Sequence, residues 1–324
     1  MFRMPRLRSL IKPAMSALIV MCAGFFFFRA FQRNWADIQA HEFRIAPLYL
    51  LGSALSLLSA CLLATYAWYT AINSLSESKI GFRQSVAAVN ASGLTKYIPG
   101  KVWSYALQLY WLDGLGFSKA LIVYVNLVNL LLSLGMSLML GLACLLFAHG
   151  EIPVRPVAFA LVGLVCADVC CVLFNRPLLK ALFSLTNRLF KRSFSYFEVT
   201  KGQLLELHLI QLLAAVASGL GAYLFCFSIG YDVELSRALL VVGSSLVAEV
   251  VGFLAIIVPG GLGVRETLMY AMLGGKATGS LAVVMPIASR MLNMLVDVLL
   301  GAVALKLLKS LAAGKSHARA TASR

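Results

Sequence analysis

The sequence predicts an all-α polytopic membrane protein with about six full spans plus two re-entrant helical hairpins, arranged as an inverted repeat. Three observations predict it. Of the 324 residues, 60% are hydrophobic and 13% charged, with mean hydropathy +0.87. Soluble domains are about 45–50% apolar and about 25% charged, so a soluble globule of this size could not hide so much apolar surface. The apolar residues also form unbroken runs of about 20, the length of a membrane helix, and not the alternation of a transmembrane barrel. Finally, the chain is interrupted at Pro99-Gly100 and again at Pro259-Gly260. The length leaves no room for a soluble catalytic domain, so residues 1–324 read as one membrane domain.

The runs follow in order. The first, about 13–31, follows Arg3, Arg6, Arg8 and Lys12. It resembles a signal peptide but lacks a small-residue cleavage site, so it reads as a retained span. The second run is about 46–72. Residues 84–112 are only moderately apolar and read as a hairpin with its tip at Pro99-Gly100. Runs follow at about 119–148 and 156–174. The basic stretch 175–203, with Leu178, Leu182, Phe183 and Phe190 between its charges, reads as an interfacial amphipathic helix. A run at about 204–229 precedes a polar loop, 230–237. Segment 238–274 reads as a second hairpin, turning at Pro259-Gly260-Gly261-Leu262-Gly263. The last run is about 280–305, and 309–324 reads as a basic cytoplasmic tail.

Charge placement orients these runs. The net charge of +15 comes from 28 Lys+Arg against 13 Asp+Glu. The basic residues cluster before the first run, between 175 and 203, and after the last run. That is the positive-inside pattern, so it argues for the anionic inner leaflet and against nucleic acid. Both termini then face the cytoplasm. Loop 230–237 and the start of the last run must both lie outside, so 238–274 has to enter and leave on one face. Irregular backbone at membrane depth is tolerated only where it is buried in protein or lines a wet cavity.

The two breaks suggest an internal repeat, because Pro99 and Pro259 are 160 positions apart. The same shift places the run from 46 on the run from 205, and the run from 119 on the run from 280. Asn129 then meets Ser289, Ser133 meets Asn293 and Ser137 meets Asp297. The runs at 13–31 and 156–174 need an offset nearer 145. The first repeat covers about 13–148 and the second about 156–308, starting on opposite faces. Transporters built this way hold substrate at the repeat interface.

The chemistry sits in polar residues at membrane depth, where a charge costs about 2.5–3.5 kcal/mol on insertion scales. After each Pro-Gly turn a half-helix begins, and its unpaired N–H groups form an anion site. The candidate binding residues in the first half are Lys96, Tyr97, Pro99, Gly100 and Lys101. In the second half they are Pro259, Gly260, Gly261, Gly263, Arg265, Glu266, Arg290 and Asn293. The natural ligand is a lipid phosphate whose tails stay in the bilayer. Glu249, Glu266 and Asp297 are candidates for proton coupling, and an ion-pair network that neutralises Arg265 and Arg290 is an open alternative. Asn126, Asn129 and Ser133 form a stripe that suits helix–helix hydrogen bonding. Asp168 is isolated and expects a partner on a neighbouring helix. Tyr66, Trp68, Tyr69, Trp103, Tyr105, Tyr110 and Trp111 read as interfacial aromatics, and Glu206, His208 and Gln211 as partly buried residues near the inner face.

Other chemistries find no support. The seven cysteines all lie in apolar runs without CxxC spacing, so they read as packing residues. The chain has no HExxH, HxxxxD, GxSxG, Walker A or GxGxxG motif, and predicts no catalytic residue, metal or cofactor.

The run Lys96-Tyr97-Ile98-Pro99-Gly100-Lys101-Val102-Trp103, the run Pro259-Gly260-Gly261-Leu262-Gly263-Val264-Arg265-Glu266 and the later Arg290 resemble the lysylphosphatidylglycerol synthase transmembrane-domain family, also called the flippase-like domain family. The resemblance covers about 10–310. It implies a prokaryotic cytoplasmic-membrane protein that moves a lipid between leaflets. The family's Gly-rich turn and glutamate map onto Gly260, Gly261, Gly263 and Glu266, and its last-helix arginine onto Arg290. With only a short basic tail expected after the membrane domain, lysyl transfer is not carried over. The expected substrate is a phospholipid or polyprenyl-phosphate-type lipid, glycan-linked or not. The expected partners are the lipid itself and either a second copy or a lipid- or glycan-synthesis enzyme, for which the chain could instead be a scaffold. An intramembrane lipid transferase is a third reading.

Overall fold

The computed structural model describes residues 35–40, 44–97, 103–148, 153–173, 197–255, 261, 263–274 and 280–322, with isolated positions at 32 and 184. The expected span at 13–31, the residues Pro99, Gly100, Lys101, Pro259 and Gly260, and most of the interfacial stretch 175–203 lie outside them. So do the side chains of Lys96, Tyr97 and Trp103. All regular structure among the described residues is helical. In chain order the helices are α1 (Trp35–Ala40), α2 (Pro47–Leu75), α3 (Phe82–Gly93) with a 3-10 turn (Leu94–Tyr97), α4 (Trp103–Asp113), α5 (Lys119–Phe147), α6 (Val154–Leu173), α7 (Lys201–Ser228), α8 (Leu235–Leu254), α9 (Val264–Leu273) and α10 (Ser280–Ala322).

Six of them are long and apolar enough to cross a membrane: α2, α5, α6, α7, α8 and the Ser280–Ser310 part of α10. Five of them are expected spans, the sixth, α8, is the first limb of the expected hairpin 238–274, and the expected span at 13–31 lies outside the described residues. The expected six counted 13–31 and left 238–258 as a hairpin limb. Yet α8 has 20 residues, about 30 Å at 1.5 Å per residue, the thickness of the hydrocarbon core. By contrast α3, α4 and α9 have 12, 11 and 10 residues, about half a span each. Helix α10 continues through the expected tail to Ala322. Its Ala-, Leu- and Lys-rich sequence favours helix with no membrane to require it.

The antiparallel pair α2–α7 forms the centre. Ser53 Oγ donates to Gly221 O and Ser56 Oγ to Ala217 O, both at 2.7 Å. Ala46 N donates to Ser228 O at 2.9 Å. Partner numbers fall along α7 as they rise along α2. A Cβ on Gly221 would stand 2.8 Å from Leu57 Cγ, so the absence of a side chain sets the helix separation. Small residues and hydroxyl bonds are how helices associate in lipid, where tails are as apolar as leucine.

Two apolar cores flank this pair. One joins Leu57, Phe225 and Cys226 to α8, α9 and the first half of α10, through Leu240, Met269 and Met285. The other joins Trp68, Ile72 and Ile210 to the base of the α3–α4 pair and the start of α5, through Ile80, Leu112 and Ile122. Each core closes one excursion of the chain at its base. Tyr231, before α8, meets Ser280 at 2.5 Å between hydroxyl oxygens. At the other base Asn73 bonds the Ile80 backbone both ways, at 2.8 and 3.0 Å. Phe117 shares that core with Ile80.

The second excursion reverses tightly. A Cβ on Gly261 would collide with the carbonyl of Gly252 in α8, and Gly261 has φ +68°. Gly263 has φ +83° at the start of α9. Both conformations favour glycine, so the Gly-rich sequence serves a backbone turn packed on α8. Helix α8 also packs on α5, and α3 packs on α10. At the first contact a Cβ on Gly243 would stand 2.7 Å from Leu145 Cγ and 2.8 Å from Gly141 O.

Helix α6 has no buried residue, and Phe159 and Val162 are exposed. Among the described residues no cysteine forms a disulfide. Gly243→Ala should destabilise the purified protein by about 1–3 kcal/mol in detergent unfolding titrations, because backbone cannot retreat from the new methyl. Gly163→Ala on α6, with nothing within 4 Å of its Cβ, should be neutral or stabilising by up to about 1 kcal/mol. Equal effects would show that α5–α8 packing does not depend on the close approach.

Candidate functional site

A cavity of about 370 Å³ lies between the two cores, beside the middle of α2. Leucine and alanine from α2 and α7 form its apolar walls, including Leu57, Ala60, Ala214 and Ala215. Five of the sequence-predicted residues line it: Glu249, Arg265, Arg290, Asn293 and Asp297. Each follows from its helix. Arg265 is on the first turn of α9, and Glu249 on the last turns of α8, brought close because α9 folds back at Gly252. The helical spacing of Arg290, Asn293 and Asp297 puts all three on one stripe of α10.

Glu266 stands just behind. It is buried, at 5% exposure, and ion-pairs with the equally buried Arg290. Its other oxygen accepts the Gly263 backbone N–H at 2.6 Å. This changes the expected anion site. The N–H at the head of α9 that was expected to hold a ligand is already bonded by the chain's own carboxylate. A glutamate three residues into a helix naturally reaches back to cap it, and the half-positive helix end favours its charge. The cation that remains at the cavity wall is Arg265, whose partner is looser: Arg265 Nη1 lies 3.9 Å from Glu249 Oε1. Glu249 is 46% exposed at its side chain and also accepts from Ser218 Oγ at 3.5 Å. Two cations and two carboxylates thus line the cavity, with one pair that can exchange.

A second cavity of about 290 Å³ adjoins it, and Ser104, Tyr105, Ser133 and Asp297 line both. Its wall is mostly neutral and polar. Asn90 donates to Thr65 Oγ1 at 3.1 Å, Gln108 to Ser92 Oγ at 2.9 Å and Gln211 to Asn129 Oδ1 at 2.8 Å. Of the Asn126, Asn129 and Ser133 stripe, Asn129 thus joins α5 to α7, whereas Asn126 donates to Ile122 O of its own helix at 2.8 Å.

Several expectations need correction. Trp68 is buried at 3% and belongs to the second core, and Tyr105 lines both cavities, so neither is an interfacial aromatic. Tyr110 at 77% exposure fits that role. Gln211 is fully buried, because α7 passes behind α5 at that level. Asp168 finds the expected partner in His208 Nε2, at 2.9 Å. This pair ties the otherwise exposed α6 to α7. Tyr105 and Gln108 line the candidate site, and sequence patterning did not place them there. The 160-position shift offered the one signal, since it places Tyr105 on Arg265.

Among the described residues no His, Cys, Asp or Glu group could hold a metal ion. Lys96 and Tyr97 are described only as backbone, in the 3-10 turn at the end of α3.

The Glu266–Arg290 pair makes a stability prediction. Removing one partner of a buried pair strands a charge and costs about 3–5 kcal/mol. Glu266→Gln and Arg290→Met should each destabilise strongly, and the double variant should cost clearly less than their sum in a double-mutant cycle. Strict additivity would mean that the two residues do not act as a pair.

No curated protein matches the chain. A family model described as Lysylphosphatidylglycerol synthase TM region matches residues 11–301. A match over that much of the sequence, on a bundle of membrane-length helices around a charged cavity, shows that the chain belongs to this family, a family of membrane proteins related to lipid handling.

Proposed function

We propose that the protein is a translocator that moves a phospholipid or polyprenyl-phosphate-type lipid, with or without an attached glycan, between the leaflets of a prokaryotic cytoplasmic membrane. The observation that carries this reading is the charged cavity enclosed by helices that are otherwise apolar. A head group fits among Arg265, Arg290 and Asn293 while its tails remain among the exposed leucines and valines outside. Charge at that depth is expensive unless it is paired or serves a ligand. The phosphate displaces Glu249 from Arg265, and the freed carboxylate is the group that can take up a proton. Glu266 holds Arg290 in place, and Asp297 is a second proton-coupling candidate. No bond of the lipid is broken, so the protein acts as a transporter and not as an enzyme.

Three features support an inverted repeat with two re-entrant hairpins. The shift by 160 positions exchanges the α3–α10 contact with the α5–α8 contact. It also exchanges Gly141 with Gly301, and both glycines meet the opposite half's hairpin: Gly141 at Val247, Gly301 at Leu94. The corresponding helices α2 and α7 run antiparallel, as inversion demands. The hydroxyl contact between Tyr231 and Ser280 lets the chain leave and return at one face.

Two experiments test the reading. In vesicles, Arg265→Gln should slow translocation of a tail-labelled phosphatidylglycerol by at least about ten-fold, as expected for a charge-assisted bond worth about 1.5–3 kcal/mol. An unchanged rate would remove Arg265 from the site. Transport that requires a co-purifying enzyme would favour the scaffold reading instead. In a cysteine-free background, the exposed positions Ser78→Cys and Lys119→Cys should react with an impermeant thiol reagent from one face only, and Asp232→Cys and Ala271→Cys from the opposite face. Labelling of Asp232→Cys and Ala271→Cys from different faces would refute the re-entrant hairpin.

A further inference from the structure

We propose that the second, neutral cavity is a head-group subsite for an uncharged, polyhydroxylated moiety, a sugar or polyol carried on the lipid phosphate. This rests on the translocator reading, which places the phosphate in the charged cavity next door.

Four polar atoms on its wall carry the argument. Trp68 Nε1, Asn129 Nδ2, Gln108 Oε1 and Gln211 Oε1 have no hydrogen-bond partner among the described residues. Their residues are deeply buried, at 3%, 8%, 4% and 2% exposure, and all four line the cavity. A buried polar atom left unbonded costs about 1–3 kcal/mol, so the site is built for something that completes it. The four atoms are two donors and two acceptors. Flipping both amides of the Asn129–Gln211 pair exchanges the two roles but leaves one donor and one acceptor free.

Ligand chemistry follows from that balance. A phosphate or carboxylate only accepts, so it cannot satisfy the two Oε1 atoms. An ammonium only donates, so it cannot satisfy the indole and the Asn129 amide. A hydroxyl does both. Several hydroxyls on one rigid frame would meet several of these atoms at once. The cavity has room: its 290 Å³ is about ten times the share of one liquid water. Among the described residues of its wall Asp297 is the sole charged group, which suits an uncharged moiety. Tyr105, Ser104 and Ser133 are shared with the charged cavity, so one head group can extend from phosphate to hydroxyls without crossing an apolar wall.

The test uses the full chain in detergent and two probes that carry one negative charge each, decyl methyl phosphate and a decyl glucosyl phosphodiester. Binding is read by titration calorimetry. The glucosyl probe should bind at least about ten-fold tighter, because a site made for hydroxyls strongly rejects the analogue lacking them. Gln108→Leu should bring the ratio of affinities close to one and leave the methyl probe's affinity as it was, which also reports an intact fold. Gln211→Met and Trp68→Phe should act in the same direction and serve where Gln108→Leu fails to fold. Equal affinity of the unaltered protein for both probes overturns the subsite, as does a set of variants that weaken both probes alike. A preserved ratio with no translocation in vesicles sinks the translocator reading while supporting the subsite. Translocation of phosphatidylglycerol with no preference between the probes does the reverse.

Discussion

The close antiparallel contact between α2 and α7 is the constraint on which the rest of the structure depends. In lipid there is little apolar driving force to bring two leucine-rich helices together. What remains is dispersion at short range and the occasional hydrogen bond, each weak and each dependent on small side chains. Ser53, Ser56, Gly221 and Ala217 supply both. The pair fixes where the two cores form, one at each end, and therefore where the unfilled space lies between them.

Under the proposed repeat, that space is symmetric in scaffold and asymmetric in chemistry. Under the 160-position shift, Glu249, Arg265, Arg290 and Asp297 correspond to Val89, Tyr105, Leu130 and Ser137. One half contributes charges and the other contributes hydroxyls and amides. Two adjoining cavities with distinct character result, sharing Tyr105 and Asp297. A ligand with a charged end and a neutral polar end matches that division better than an ion alone.

Glu266 joins architecture to chemistry. Its carboxylate caps α9 and holds Arg290, so the Gly-rich turn, the short helix and the last-helix arginine form one unit. Such a unit holds a cation in place without leaving it free to wander into lipid. Arg265, with only a loose partner, is the one able to change hands. The buried pair gives the site rigidity, and in the proposed transport the looser Arg265–Glu249 pair gives it exchange.

Composition and run length determined the class, because no soluble core could bury this much apolar surface. The helical spacing of Arg290, Asn293 and Asp297 already placed them on one face, and the paired Pro-Gly positions fall in sequence between α3 and α4 and between α8 and α9. The motif residues were also enough for the family resemblance. Three things needed the tertiary structure. In sequence Glu266 is open between proton coupling and an ion pair, and only the fold joins it to both Gly263 N–H and Arg290. Trp68 and Tyr105 read as interfacial aromatics, because hydropathy cannot say which side of a helix meets protein. The amides of Gln108, Asn129 and Gln211 come from three helices far apart in sequence, so no local pattern could join them. Periodicity reports the faces of single helices; a cavity is made by faces that meet, and only packing decides that.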